Sequence, residues 1–233
     1  MTDRCIEKRR WTVLALAFVL PCIATACAST APSLSLPSTQ QRIERYISSG
    51  DYDKEFGAVV SQARAYLETR APKVTKPAIV LDIDETSLTN WPAYRANGWA
   101  RITAGPCDLE RGPCGIRAWQ AMAASKALAP MLELARRAEA LGVAVFFITG
   151  RPQGLREATE RNLRQEGYQP TAVILLPEGA VFESAADFKA PERRKIEEQG
   201  YTIILNMGDQ ESDLLGGYAE KTFKLPNPVY FLP

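Results

Sequence analysis

The stretch Ala78-Ile79-Val80-Leu81-Asp82-Ile83-Asp84-Glu85-Thr86 decides the fold. Four consecutive apolar residues with no polar alternation read as a strand buried on both faces, the pattern of a parallel sheet covered by helices. The carboxylates of Asp82 and Asp84 then emerge together where that strand stops. In an open parallel sheet, ligands bind in the crevice outside the strand ends. Two acids on alternate residues share one loop, close enough to hold a divalent cation and a phosphate between them. One suits a nucleophile and the other a proton shuttle. A solvated acidic turn is the plain alternative, and the rest of the chain has to decide.

Three later stretches bear on that choice. The apolar run 143–148 ends in Thr149-Gly150-Arg151, which delivers a small hydroxyl and then a glycine that lets backbone N–H groups approach an anion. Thr149 can hydrogen-bond a phosphate oxygen. Arg151 could do the same, but a helix-start arginine in a salt bridge is the simpler reading. Lys189, in Asp187-Phe188-Lys189-Ala190-Pro191, precedes a helical stretch expected over 191–199, where an ammonium can balance a phosphorylated carboxylate. Alone it reads as an ordinary surface lysine. The run 202–207 leads into Gly208-Asp209-Gln210-Glu211-Ser212-Asp213, with two carboxylates four residues apart, of which Asp209 suits a hard-cation ligand.

Apolar periodicity predicts helices over 41–48, 53–70, 130–141 and 154–166, with a further one reaching Trp119, and strands over 78–81, 143–148, 172–176 and 202–207. Residues 223–225 read as an edge strand, and residues 88–115 as a small irregular insertion after the first strand. Strand and helix in alternation give a doubly wound parallel α/β sheet with helices on both faces.

Together, Asp82-x-Asp84-x-Thr86, Thr149-Gly150-Arg151, Lys189 and Gly208-Asp209-x-x-x-Asp213 resemble the four motifs of the haloacid-dehalogenase-like superfamily of phosphotransferases. The C-terminal text, Gly208 to Gly216 and then Thr222-Phe223-Lys224-Leu225-Pro226-Asn227-Pro228, is similar to its acid phosphatase branch of bacterial class C lipoprotein acid phosphatases and plant vegetative storage proteins. The resemblance implies a magnesium-dependent phosphomonoesterase with an aspartyl-phosphate intermediate. Asp82 would be the nucleophile and Asp84 the general acid and base. Mg2+ would be bound by the Asp82 carboxylate, the Asp84 backbone carbonyl and Asp209, with Asp213 supporting, while Thr149 and Lys189 would bind the phosphoryl oxygens. Trp91, Tyr94 and Trp99 in the insertion either stack on the leaving group, such as the base of a nucleoside monophosphate, or simply pack the insertion. A non-catalytic surface, storage or binding protein on the same fold is the alternative, which the intact Asp82, Asp84, Lys189 and Asp209 count against. A phospho-accepting signalling module also uses an aspartate, a hydroxyl and a lysine, but export speaks against it.

Composition excludes other chemistries. The 233 residues contain no histidine, which removes histidine phosphatases, histidine-ligated zinc hydrolases and Ser-His-Asp hydrolases. A formal charge of +1 without long basic runs argues against a nucleic-acid polymer as partner; a small phosphomonoester substrate is what the resemblance implies. Oligomeric state is not legible.

Residues 1–27 read as an export signal. Arg4, Lys8, Arg9 and Arg10 precede an apolar stretch from Trp11 to Ala26 that is short for a membrane span. Ala24-Thr25-Ala26-Cys27 is either a signal-peptidase site or a lipoprotein signal in which Cys27 becomes the acylated first residue. Losing residues 1–26 removes those four basic residues with Asp3 and Glu7, moving the formal charge from +1 to −1. Residues 28–38 would be a tether and 39–233 the enzyme domain. The expected location is the bacterial cell envelope, either periplasmic or lipid-anchored on the periplasmic side of the outer membrane. After export only Cys107 and Cys114 remain to pair, which suits an oxidising compartment; a metal pair is the competing reading, and two cysteines without histidine make a poor zinc set.

Overall fold

The computed structural model describes residues 35–233. The export signal, the acylation site at Cys27 and most of the expected tether lie outside the described residues. At the edge of the tether the structure differs from the sequence reading: helix α1 spans Leu36–Ser48, so residues 36–38 are helical. Ser35 caps it, its hydroxyl accepting the Ser38 N–H, and Pro37 lies in the first turn, where a missing N–H costs nothing.

The remaining elements follow in chain order. Helix α2 spans Asp51–Arg70 and strand β1 Pro77–Leu81, every residue of which is buried. The insertion holds β2 (Leu88–Thr89), α3 (Trp91–Ala96), α4 (Ile116–Met122) and β3 (Lys126–Ala127). Then come α5 (Ala129–Ala140), β4 (Ala144–Pro152), α6 (Arg156–Glu166), β5 (Ala172–Leu176), α7 (Ala185–Glu198), β6 (Thr202–Gly208), α8 (Glu211–Leu214) and β7 (Thr222–Lys224). The sheet order is β5-β4-β1-β6-β7, and all neighbours are parallel. From β1 the chain builds outward through β4 to β5, then returns to the other side of β1 for β6 and β7. The point of reversal lies at the C-terminal end of β1, where a crevice must open.

Alternation along β1 divides the core. Ile79 and Leu81 join the larger apolar cluster with Phe56, Leu67, Leu134 and Phe147, while Ala78 and Val80 face Phe188 and Ile196 of α7 with Phe146, Ile148 and Ile203. Both sheet faces are thus covered, as the unbroken apolar run requires.

Two expectations are corrected. The insertion is not irregular through 88–115: α3 is a short helix within it, and β2 pairs antiparallel with β3, so the excursion closes only at residue 127; α4 falls where the sequence predicts the helix reaching Trp119. Helix α7 begins at Ala185, not at Pro191. Ser184 and Asp187 form a capping box at its start, and Pro191 sits inside the helix. Lys189 is therefore a helix residue, with a position fixed by the packing of its neighbour Phe188.

Cys107 and Cys114 are joined by a disulfide, and the Asn97 side chain bonds the Cys114 backbone at both its N–H (2.7 Å) and C=O (2.8 Å). Protein prepared under oxidising conditions should therefore resist alkylation at both cysteines until reduced. Closing so short a loop contributes about 2–3 kcal/mol in the chain-entropy model. Quantitative labelling without reductant, read by mass spectrometry, would show that the pair is open.

Candidate active site

The strand β1 ladder runs one residue past its end, since the Asp82 N–H donates to Met207 C=O at 2.9 Å. The chain then turns tightly. The Ile83 carbonyl accepts the N–H groups of Ser87 and Leu88, both at 2.8 Å, and Glu85 takes a left-handed φ of 55°. That conformation costs a non-glycine residue energy and is held by surrounding contacts. The turn lets Asp82 and Asp84 meet different partners.

Asp82 meets α7. The Lys189 ammonium donates to Asp82 Oδ1 at 2.5 Å and to Asp213 Oδ1 at 2.6 Å, and all three residues are buried. Four residues on, Arg193 donates to the carbonyls of Asp213 and Gly217, both at 2.8 Å, and also to that of Leu215. One face of α7 thus grips the whole loop after β6. Within that loop only glycine fits at 208, because a Cβ there would lie 2.4 Å from Asp213 Oδ2. Thr149 ends up fully buried at the end of β4, its hydroxyl oxygen accepting the Arg151 N–H at 3.2 Å, and the cavity wall at this point is formed by Gly150 and Arg151.

Asp84 meets β4 and the insertion. Arg151 grips its carboxylate with Nε at 3.1 Å and Nη2 at 2.7 Å, Asn90 donates at 2.7 Å and Gln120 at 3.1 Å. Burial raises the Asp84 carboxyl, but the Arg151 charge and these hydrogen bonds outweigh it and hold it below the usual range. Arg151 is not a helix-start residue: it lies on β4, fully buried, with its charge spent on Asp84.

Asp209 is held from the C-terminal side. Thr86 (3.1 Å), Gln210 (2.5 Å) and Asn227 (2.6 Å) all donate to it, and Gln210 in turn accepts the Leu232 N–H at 2.9 Å. The segment after β7 thus returns to the strand ends and brings Tyr230 and Leu232 into the cavity wall.

Asp82, Asp209 and Asp213 each offer an oxygen within 4.8 Å of the others, a set that could hold a metal ion. Without a cation such crowding is unfavourable. Burial and then the neighbouring Asp213 push Asp209 up to about 6, and burial pushes Asp82 up against the pull of Lys189. The donor chemistry, all carboxylate oxygen, fits a hard divalent cation. The Asp84 carboxylate stands apart from this set. Glu85 is buried too, raised to about 8 by burial and then by Asp84, and accepts from Asn90 N–H (2.5 Å), Asn90 Nδ2 (3.0 Å) and the hydroxyl of Tyr94 (3.2 Å).

Set against known proteins, this arrangement has close company. The family model for the haloacid-dehalogenase superfamily, subfamily IIIB (acid phosphatase), matches residues 16–233. The chain belongs to that family. It is 31% identical to the stem 28 kDa glycoprotein of Glycine max, over 81% of this chain and 73% of the relative. To acid phosphatase 1 of Solanum lycopersicum it is 28% identical, over 82% of this chain and 73% of the relative. The crystal structure of a class C acid phosphatase from Bacillus anthracis with tungstate bound superposes with a TM-score of 0.64 at 23% identity, covering 83% of this chain and 86% of that one. Family membership makes the protein a phosphatase of the phosphoric monoester class.

The structure brings Asp82, Asp84, Lys189, Asp209 and Asp213 to one strand-end crevice. It does not gather the aromatic trio there. Tyr94 lines the cavity, whereas Trp91 and Trp99 pack on each other (centroids 6.4 Å apart) and Trp91 on Tyr52 (4.4 Å). Their spacing is that of a short helix and its exit, which gives each ring a different direction. Sequence reading missed Asn90, Gln120 and Asn227, which orient the acids. Asn227 had a signal, a lone amide between Pro226 and Pro228.

Removing the Arg151 charge tests the clamp. Arg151→Met should cost about 3–5 kcal/mol at pH 7, the usual result of orphaning one member of a buried pair. Because the folded Asp84 carboxyl is held low, this contribution is full above the ordinary carboxylate pKa and fades as pH falls through the folded value. Urea denaturation at pH 7 and pH 3 measures it, and equal losses at both would contradict the pairing.

Proposed function

We propose that the protein hydrolyses small phosphomonoesters with magnesium, carrying the phosphoryl group transiently on Asp82. The observation that carries this reading is the separation of two neighbouring carboxylates between two cations, Asp82 with Lys189 and Asp84 with Arg151. A carboxylate beside an ammonium is positioned to attack phosphorus and to have its new anionic ester neutralised. The other, held by donors on its far side, is free to exchange a proton with the leaving oxygen.

In the first step Asp82 forms an O–P bond as the ester P–O bond breaks, and Asp84 gives its proton to the departing alkoxide. In the second step Asp84, now ionised, takes a proton from water as the water oxygen attacks phosphorus and Asp82 is released. Lys189 stays charged throughout: burial disfavours its ammonium, but Asp213 and Asp82 more than compensate. Gly150 and Lys189, on the cavity wall, would face the phosphoryl oxygens, with Thr149 behind them accepting the Arg151 N–H. Asp82 and Asp209 would hold magnesium with the Asp84 backbone carbonyl, and Asp213 would support them from beside Lys189. When bound, the cation offsets the repulsion between carboxylate and phosphate.

A nucleobase stack would have only Tyr94 and Tyr230 to rest on, so nucleoside monophosphates are one substrate class among several small esters. Export, with anchoring through an acylated Cys27, is supported by the leader sequence and by the disulfide. Among the described residues no helix is long and apolar enough to cross a membrane.

Two experiments test the chemistry. Asp82→Asn should abolish magnesium-dependent turnover. Asp84→Asn should lose about 10²–10⁴-fold on alkyl phosphates, yet still accumulate phosphoenzyme from p-nitrophenyl phosphate, whose leaving group needs no acid. Rapid-quench labelling separates the two, and an active Asp82→Asn enzyme would end the covalent reading.

The pH profile tests the proton. Since Arg151 keeps Asp84 low, its acid form is lost as pH rises through the acid range, so turnover of glycerol 2-phosphate should decline at lower pH than that of p-nitrophenyl phosphate. Superimposable profiles would remove Asp84 from the acid step.

A further inference from the structure

The cavity is lined on its insertion side by two arginines that the phosphoryl chemistry does not use, Arg101 and Arg117. Both are exposed. Neither guanidinium is in an ion pair among the described residues, unlike Arg95 with Glu44 and Arg111 with Asp108 on the same insertion. Their backbones are tied together, since the N–H of Ile116 donates to Ile102 C=O at 2.7 Å and that of Arg117 to Thr103 C=O at 3.4 Å. Arg117 stands one helical turn before Gln120 on α4, and Gln120 reaches Asp84 Oδ2 at 3.1 Å. Arg117 therefore lies one turn outward from the group that protonates the leaving oxygen. Arg101 sits over the opposite wall, its guanidinium carbon 5.5 Å from the Tyr230 ring centroid.

No acid of the cavity is in an ion pair with either arginine among the described residues. Asp84 is bonded by Arg151, Asp82 and Asp213 by Lys189, and Asp209 takes hydrogen bonds from Thr86, Gln210 and Asn227. Two unpaired positive charges thus face the space into which the leaving group must project. Arginine forks suit carboxylate and phosphate.

We propose that Arg101 and Arg117 recognise a second anionic group on the leaving-group side, so that the preferred substrates are phosphomonoesters whose alcohol carries a carboxylate or a further phosphate. This rests on the phosphomonoesterase reading above. A matched pair of esters isolates it: 3-phosphoglycerate carries a carboxylate where glycerol 3-phosphate carries a hydroxymethyl group.

The readout is the ratio of KM for glycerol 3-phosphate to KM for 3-phosphoglycerate with magnesium present. We expect a ratio of about fivefold to tenfold, what two solvent-exposed charge pairs supply together, falling toward one as salt rises. R101Q/R117Q should bring it to about one, and R101K/R117K should keep most of it. A ratio near one in the unchanged protein overturns the proposal and means that the arginines merely attract phosphate. A ratio unmoved by salt, or retained in R101Q/R117Q, overturns it equally. Should R101Q/R117Q not fold, the salt series and the lysine variant decide. If p-nitrophenyl phosphate is not hydrolysed either, the phosphomonoesterase reading itself has failed.

Discussion

Everything at the sheet edge answers to one constraint, the burial of carboxylates in a low-dielectric crevice. Asp82, Asp84, Glu85, Asp209 and Asp213 converge there, with Lys189 and Arg151 as the buried cations that bond their carboxylates and Arg193 buried behind Asp213. An uncompensated charge in such surroundings costs several kcal/mol, so the account must close. Glu85 closes its part by keeping a proton through neutral pH. Asp82, Asp209 and Asp213 stay crowded together even so, a set that could hold a hard divalent cation.

Helix α7 carries the heaviest share. It covers one sheet face through Phe188 and Ile196 while its polar side supplies Lys189 and Arg193. Packing and electrostatics are therefore linked through single neighbours: where Phe188 settles, Lys189 must follow. A cavity created under this helix would shift the ammonium relative to two carboxylates at once. The apolar cluster on the other face, with α2 and α5, has no such duty.

Much of this was legible because the strands are largely apolar and lead into acids or small polar residues. Strand β5 falls at 172–176 as read, and β1, β4 and β6 lie within a few residues of their expected bounds. Local rules failed where distant contacts decide. Pro191 looked like a helix start, but the capping box at Ser184 and Asp187 sets the start earlier. Arg151 reads as a helix-start arginine in a salt bridge, and the bridge is there, but its partner lies 67 residues away in sequence and holds it on β4. The two-residue strands β2 and β3 are too short to leave a periodic signal, and they exist because Asn90 ties them inward: it accepts from Trp119 and Ser125 and donates to Asp84 and Glu85. No window of sequence shows such a hub.

Asn90 and Gln120 belong to the insertion, yet both help set the proton affinity of a carboxylate on the core. The insertion, which lines one side of the cavity, is thereby also a region that tunes Asp84. A change in this insertion that displaces either amide would therefore also change the proton affinity of Asp84. The shape of the cavity and the acidity of the carboxylate at its floor are thus coupled through two side-chain amides.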